Sequence, residues 1–139
     1  FLELRCSKRN IELKKDLDSD IPEFKADSTQ IYQILVNLVL NGMQAIGENG
    51  IITVSTKYSG NEISLVVEDN GKGMNERVRK RIFLPFFTTK SKDDGTGLGL
   101  SIVRDIVLEH NGTIDVSSSK GKGSRFNVVF SLEEKNHGQ

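Results

Sequence analysis

Two kinds of periodicity alternate along this chain, and that alternation restricts its fold more than any other feature. Residues 28–47 place Ile31, Ile34, Leu35, Leu38 and Ile46 at helical spacing, and residues 99–110 do the same with Ile102, Val103, Ile106 and Val107. Each stretch is followed by two rows of period two: 51–58 and 62–69 after the first, 113–118 and 124–131 after the second. Ser59-Gly60-Asn61 joins the first pair as a hairpin turn. Upstream, Ile11 and Leu13 alternate with Glu12 and Lys14 as a further short strand. Helices with one apolar stripe, interleaved with hairpin strands, predict an α+β fold. The expected form is a two-layer α/β sandwich, a mixed and mostly antiparallel sheet with helices packed on one face.

Local signals set the boundaries. Asp27 and Ser28 are good N-caps for the first helix, and Gly47 and Gly50 end it. Asn111-Gly112 stops the second helix. Residues 75–83 read as a short helix. Residues 84–97 hold almost no apolar side chain beyond Phe87, which predicts a mobile lid. The polar tail 133–139 is expected to fray.

The 139 residues suit one domain spanning 1–139. Nineteen basic and nineteen acidic side chains cancel, so no general field draws the chain to nucleic acid or anionic lipid. Any bound anion must be held locally. Cys6 is the sole cysteine, which excludes an internal disulfide and a thiolate zinc cluster, and suits a reducing, cytoplasmic setting. The first residue is Phe, and the expectation is a piece of a longer protein, itself either soluble or membrane-anchored.

Four clusters carry possible chemistry, and each also has a plain structural reading. Asn37, Asn41 and Gln44 form a polar stripe on the first helix: either a solvated face or hard amide oxygens suited to Mg²⁺ and phosphate. Asp69 ends the apolar row Ile63, Leu65, Val67 and leads into Asn70-Gly71-Lys72-Gly73-Met74. This is either an ordinary Asn-Gly turn or a carboxylate at a pocket mouth, able to accept from an exocyclic amine. Gly95-Thr96-Gly97-Leu98-Gly99-Leu100-Ser101 opens the second helix: either a linker or a cradle of N–H groups for an anion. It matches neither a Walker loop nor the dinucleotide fingerprint. In Phe83-Leu-Pro-Phe-Phe-Thr-Thr-Lys90 the phenylalanines either plug the core or anchor a lid whose Lys90 reaches phosphate. His110 reads as structural, and no Ser-His-Asp set is visible.

In this order the four clusters, with Gly121-Lys-Gly-Ser-Arg-Phe126 as a fifth, resemble the nucleotide-binding boxes of sensor histidine kinases. The resemblance runs from about Asp27 to Phe130. It implies the Bergerat fold, shared with type II topoisomerases, mismatch-repair ATPases and a class of chaperones. It further implies that ATP and Mg²⁺ are the ligands and that Asn41 ligates the metal, with Asn37 and Gln44 near the phosphates. Asp69 would take the adenine amine, supported by Ser124 and by the turn through Gly71, Gly73 and Met74. Gly97, Leu98 and Gly99 would present backbone amides to phosphate, with Thr96 and Leu100 also in the ATP site. Residues 84–97 would be the lid, with Phe87, Thr88 and Lys90 in the ATP site and Lys90 near the phosphates.

Related ATPases have a Glu four residues before the metal Asn; here that position is Asn37, and an amide cannot act as a general base. The implied function is therefore to hold Mg-ATP and give its γ-phosphoryl to a histidine on a separate dimerisation domain of the same kinase. A response regulator would be the downstream partner in two-component signalling. No segment of this chain supplies the phosphoacceptor histidine, and the fragment is expected to be monomeric. The rival readings are an anti-sigma-type serine protein kinase, a non-catalytic nucleotide-sensing domain and a topoisomerase-like or chaperone-like ATPase domain, the last disfavoured by the missing Glu. Gly42, where the family often has Ala, lowers helix stability by about 1 kcal/mol.

Overall fold

A computed structural model describes residues 2–22, 26–85 and 99–132. The elements in chain order are α1 (Leu2–Lys8), β1 (Ile11–Asp16), α2 (Ser28–Ile46), β2 (Gly50–Ser59), β3 (Glu62–Asp69), α3 (Glu76–Arg79), α4 (Gly99–Glu109), β4 (Gly112–Ser118) and β5 (Ser124–Ser131). The strands form one sheet in the order β1-β2-β3-β5-β4. Among the described residues only β1 and β2 run parallel, and α2 makes the crossover between them. The remaining pairs are antiparallel, so the expected α+β sandwich with a mostly antiparallel sheet is the observed one.

The period-two rows become the inner face of the sheet. Ile63, Leu65 and Val67 of β3 lie beside Phe126, Val128 and Phe130 of β5, all buried. Against them pack Ile34, Leu38, Val39 and Met43 of α2 and Val103, Ile106 and Val107 of α4. Each of the fully buried chains contributes roughly 1.5–3 kcal/mol relative to exposure. Truncating Leu38 to Ala would remove about 2–5 kcal/mol. The opposite face is polar: Lys14, Thr53, Glu68, Arg125 and Ser117 form one cross-strand row, with an ion pair of 3.5 Å between Arg125 and Glu68.

The caps explain where the helices begin and end. The Asp27 carboxylate accepts from the backbone N–H of Thr29 at 2.9 Å and of Gln30 at 3.3 Å, which fixes the start of α2. Gly47 ends it with φ 76° and donates its N–H to Met43 O at 2.8 Å. The hairpin turn between β2 and β3 has positive φ at both Gly60 and Asn61, as a two-residue type I′ loop requires. Asn111 closes α4 with φ 57°. His110 is structural in this geometry. Its Nδ1 lies 2.8 Å from Ile106 O, its Nε2 accepts from Asp27 N at 3.4 Å, and its ring meets Phe130 edge-on.

Two elements differ from the sequence reading. α1 is a seven-residue helix whose Leu2 and Cys6 point into the core. The helix expected over 75–83 is α-helical only at Glu76–Arg79. Beyond it the chain tightens into turns, with Arg81 N bonding Val78 O and Leu84 N bonding Arg81 O. These turns swing Ile82 into the core and set Phe83 edge-on to Phe126, 6.5 Å between centroids. Most of the lid expected at 84–97 and the whole tail 133–139 lie outside the described residues. Among the described residues, no helix is long and apolar enough to cross a membrane.

Candidate functional site

The inner face of the sheet is apolar until its strands end, and there it turns polar. Asp69 on β3, Ser124 on β5 and Ser118 on β4 are successive cross-strand partners in one row. Asp69 and Ser124 are each 6% exposed, which places a carboxylate and a hydroxyl at the edge of a hydrophobic core. Burial raises the Asp69 carboxyl above its ordinary value. The N–H groups of Gly71 and Ser124, which donate to it, oppose that rise, and neighbouring Glu68 adds to it. The Gly71 bond is 2.8 Å. The carboxylate keeps lone-pair positions for another donor.

The turn after Asp69 is held on three sides. Lys72 N donates to Ala45 O at 3.1 Å, satisfying a carbonyl in the last turn of α2. Asn70 Oδ1 accepts from Ile51 N at 2.8 Å. Gly121 N donates to Lys72 O at 2.6 Å, and Met74 N donates to Ser118 Oγ at 2.8 Å. Glycine is needed at 71 because a Cβ there would lie 2.7 Å from the Ala45 carbonyl carbon and oxygen. Met74 is partly buried against the core beside this turn.

Helix α2 carries the amide stripe along the same corner. Asn37, Asn41 and Gln44 are all half-buried. Asn37 Nδ2 donates to Gly99 O at 3.5 Å, which brings the stripe to the opening residue of α4. Leu100 packs on the core one residue further. Asp69 and Ser124, with the turn through Gly71, Gly73 and Met74, thus stand at the ends of β3 and β5, while Asn37 meets Gly99 at the start of α4, next to Leu100. Asn41 and Gln44 continue the Asn37 stripe along α2, whose Gly42 faces Asp69. Phe87, Thr88, Lys90, Thr96, Gly97 and Leu98 lie outside the described residues.

Ser118 was not among the residues singled out from the sequence, yet its hydroxyl bonds three partners: Met74 N at 2.8 Å, Gly123 O at 2.9 Å and Ser124 Oγ at 2.9 Å. Gly123 lay inside the fifth cluster without a role of its own; its φ is 80° and a Cβ would overlap the Asp69 carbonyl oxygen. The available signal was register. Pairing 113–118 with 124–131 across a tight turn puts Ser118 opposite Ser124.

Comparison with known proteins bears on the family and the fold. Residues 26–134 match the family described as histidine kinase-, DNA gyrase B- and HSP90-like ATPases. The sensor histidine kinase ZraS of Escherichia coli O157:H7 is 45% identical over 120 residues, which cover 86% of this chain and 26% of that protein. The chain thus spans about a quarter of the length of the first relatives it matches. The solved catalytic domain of histidine kinase ThkA superposes with a TM-score of 0.83 at 36% identity, covering 94% of this chain and 85% of that one. ThkA in complex with response regulator protein TrrA aligns with a TM-score of 0.78 at 33% identity, over 95% of this chain and 37% of that one. Full-length ShkA in complex with AMPPNP aligns with a TM-score of 0.82 at 28% identity, over 96% of this chain and 28% of that one. A family match across most of the chain and a shared fold over nearly all of a solved catalytic domain place this chain in the histidine kinase-, DNA gyrase B- and HSP90-like ATPase family, on its histidine kinase catalytic-domain branch.

Proposed function

We propose that this domain binds Mg-ATP and presents its γ-phosphoryl group to a histidine on a separate dimerisation domain of the same kinase. The observation that carries this is the pairing of a buried acceptor, Asp69, with an amide at position 37. The carboxylate accepts from Gly71 N–H and keeps capacity for the exocyclic amine of adenine, with Ser124 beside it. On α2, Asn37 offers no group that can take a proton from water. The nucleotide is therefore held rather than hydrolysed.

The donor set fits a hard cation. Asn41 supplies an amide oxygen on a half-buried helix face flanked by Asn37 and Gln44, so the metal would keep waters and phosphate oxygens as its other ligands. When bound, Mg²⁺ would neutralise phosphate charge. The protein's own work is positioning. Asp69 fixes the base, the start of α4 faces the phosphates, and Lys90 would supply a cation to them. The incoming imidazole nitrogen forms a bond to the γ-phosphorus as the bond to the β–γ bridging oxygen breaks, and ADP leaves with that electron pair. A response regulator then takes the phosphoryl group. ThkA has been solved with such a regulator and ShkA with AMPPNP. ATP as the donor puts this domain on the cytoplasmic side of any membrane its parent protein crosses.

The test is calorimetric titration of the fragment with ATP, with and without Mg²⁺, and phosphate release measured on the same samples. Tight, Mg²⁺-dependent binding with negligible release is expected. Rapid release would move the chain to the ATPase reading, and absence of binding would overturn the proposal.

A further inference from the structure

We infer that Ser118 is a positioning residue that fixes the polarity of the Ser124 hydroxyl, so that this edge of the base site accepts hydrogen bonds and does not donate them. The inference rests on the reading of Asp69 and Ser124 as the residues that face the base. A hydroxyl has one proton and two lone pairs. The Ser118 Oγ has three polar neighbours: the Met74 N–H at 2.8 Å, the Gly123 carbonyl at 2.9 Å and the Ser124 hydroxyl at 2.9 Å. The Met74 N–H can only donate and the Gly123 carbonyl can only accept. Gly123 is buried, so its oxygen needs the Ser118 proton. With that proton committed, Ser118 can meet Ser124 only as an acceptor, and Ser124 must spend its own proton on Ser118.

The consequence reaches the ligand. Ser124 is left with lone pairs, and it lies directly across the strand pair from Asp69, whose carboxylate is acceptor-only when ionised. Two acceptors side by side match a purine with an amino group at its 6-position. A 6-oxo purine would set its O6 as a third acceptor against them, its one donor on that edge being shifted to the ring N1–H. A Ser124 hydroxyl free to rotate could instead turn and donate to that oxygen. Ser118 therefore sets the choice between 6-amino and 6-oxo purine nucleotides without touching either.

The test is a pair of titrations, with ATP and with inosine triphosphate, on the wild type and on Ser118→Ala, Ser118→Thr and Ser124→Ala. The wild type is expected to favour ATP. In Ser118→Ala the preference, taken as the ratio of the two Kd values, is expected to shrink by at least about fivefold as the Ser124 proton is released. Ser118→Thr keeps both roles of the hydroxyl and is expected to restore the ratio. If Ser118→Ala binds both nucleotides more weakly by one common factor, or is unchanged, the inference is overturned. If Ser118→Ala does not fold, the ratio in Ser124→Ala decides, because an undiminished preference there means that the hydroxyl does not read the base. A wild type that binds neither nucleotide overturns the proposed function instead, and this inference with it.

Discussion

Gly73 stands with φ 68° directly against the carbonyl oxygen of Ser119, and a Cβ built on it would overlap that atom. The turn after Asp69 and the turn between β4 and β5 are therefore packed backbone to backbone, with Met74 N on Ser118 and Gly121 N on Lys72 O as the bonds across the seam. Gly73→Ala meets two obstacles, a left-handed conformation and a backbone that cannot move aside. We predict a loss of more than about 2 kcal/mol in stability, read by denaturant unfolding. A variant as stable as wild type would show that the two turns are not closely packed.

Asp69 works against the fold it belongs to. Its carboxyl is raised by burial, so the folded protein holds the proton more tightly than the unfolded chain does. This favours folding at low pH, and the advantage disappears as pH rises through the folded value, where the ionised carboxylate carries its desolvation cost. Asp69→Asn removes that cost. We predict that it abolishes measurable ATP binding yet unfolds at a higher temperature than wild type at pH 7. The gap should narrow as pH falls toward the usual carboxylate range. Thermal melts across pH with parallel ATP titration check both halves, and a lower melting temperature at pH 7 would reject the burial argument.

Much of this corner could be read from the residues because local and long-range signals agreed there. The row Ile63, Leu65, Val67 pointed at Asp69 as an inward acid, and the structure buries all four. Asp27 marked the first turn of α2, and its carboxylate does cap it. α1 was not legible because seven residues with two inward side chains carry too little periodicity to separate from a loop. The short helix after Asn75 was overextended because Val78, Ile82 and Phe83 keep nearly helical spacing. Burial of Ile82 and Phe83 against the core overrode that spacing with tighter turns. Ser118 stayed hidden for another reason. A serine at a strand end reads as polar surface until register places it against Ser124 and Met74.

Gly42 is explained by the packing of α2 on the sheet. A Cβ there would lie 3.3 Å from both the Asp69 Cβ and the Ile52 Cδ1. Ala would gain about 1 kcal/mol of helix propensity. Part of that gain is lost because the terminal methyl of Ile52 must yield by rotation and the Asp69 Cβ sits on a strand. We predict for Gly42→Ala a stability within about 1 kcal/mol of wild type, with weaker ATP binding because the carboxylate is displaced. Melting curves and titration separate the two effects, and unchanged affinity would mean that the strand absorbs the contact.

The identity of residue 37 should decide whether the bound nucleotide reacts with water. Asn37 sits one helical turn before Asn41 and holds Gly99 O at 3.5 Å through its amide nitrogen. It therefore lies between the proposed metal ligand and the start of α4. Replacing it by Glu puts a carboxylate where an attacking water would need its proton taken. It also removes the donor to Gly99, which weakens the tie between the two helices but leaves their apolar packing in place. A positioned base contributes on the order of 10²–10⁴ in rate. In Asn37→Glu imperfect placement should leave at least about a tenfold gain in phosphate release over wild type. Asn37→Gln is the control, since it adds length without a base and should release no more phosphate than the parent. Equal rates in Asn37→Glu and wild type, with ATP still bound, would show that no water stands opposite this position. The absence of hydrolysis would then need a cause other than the missing base.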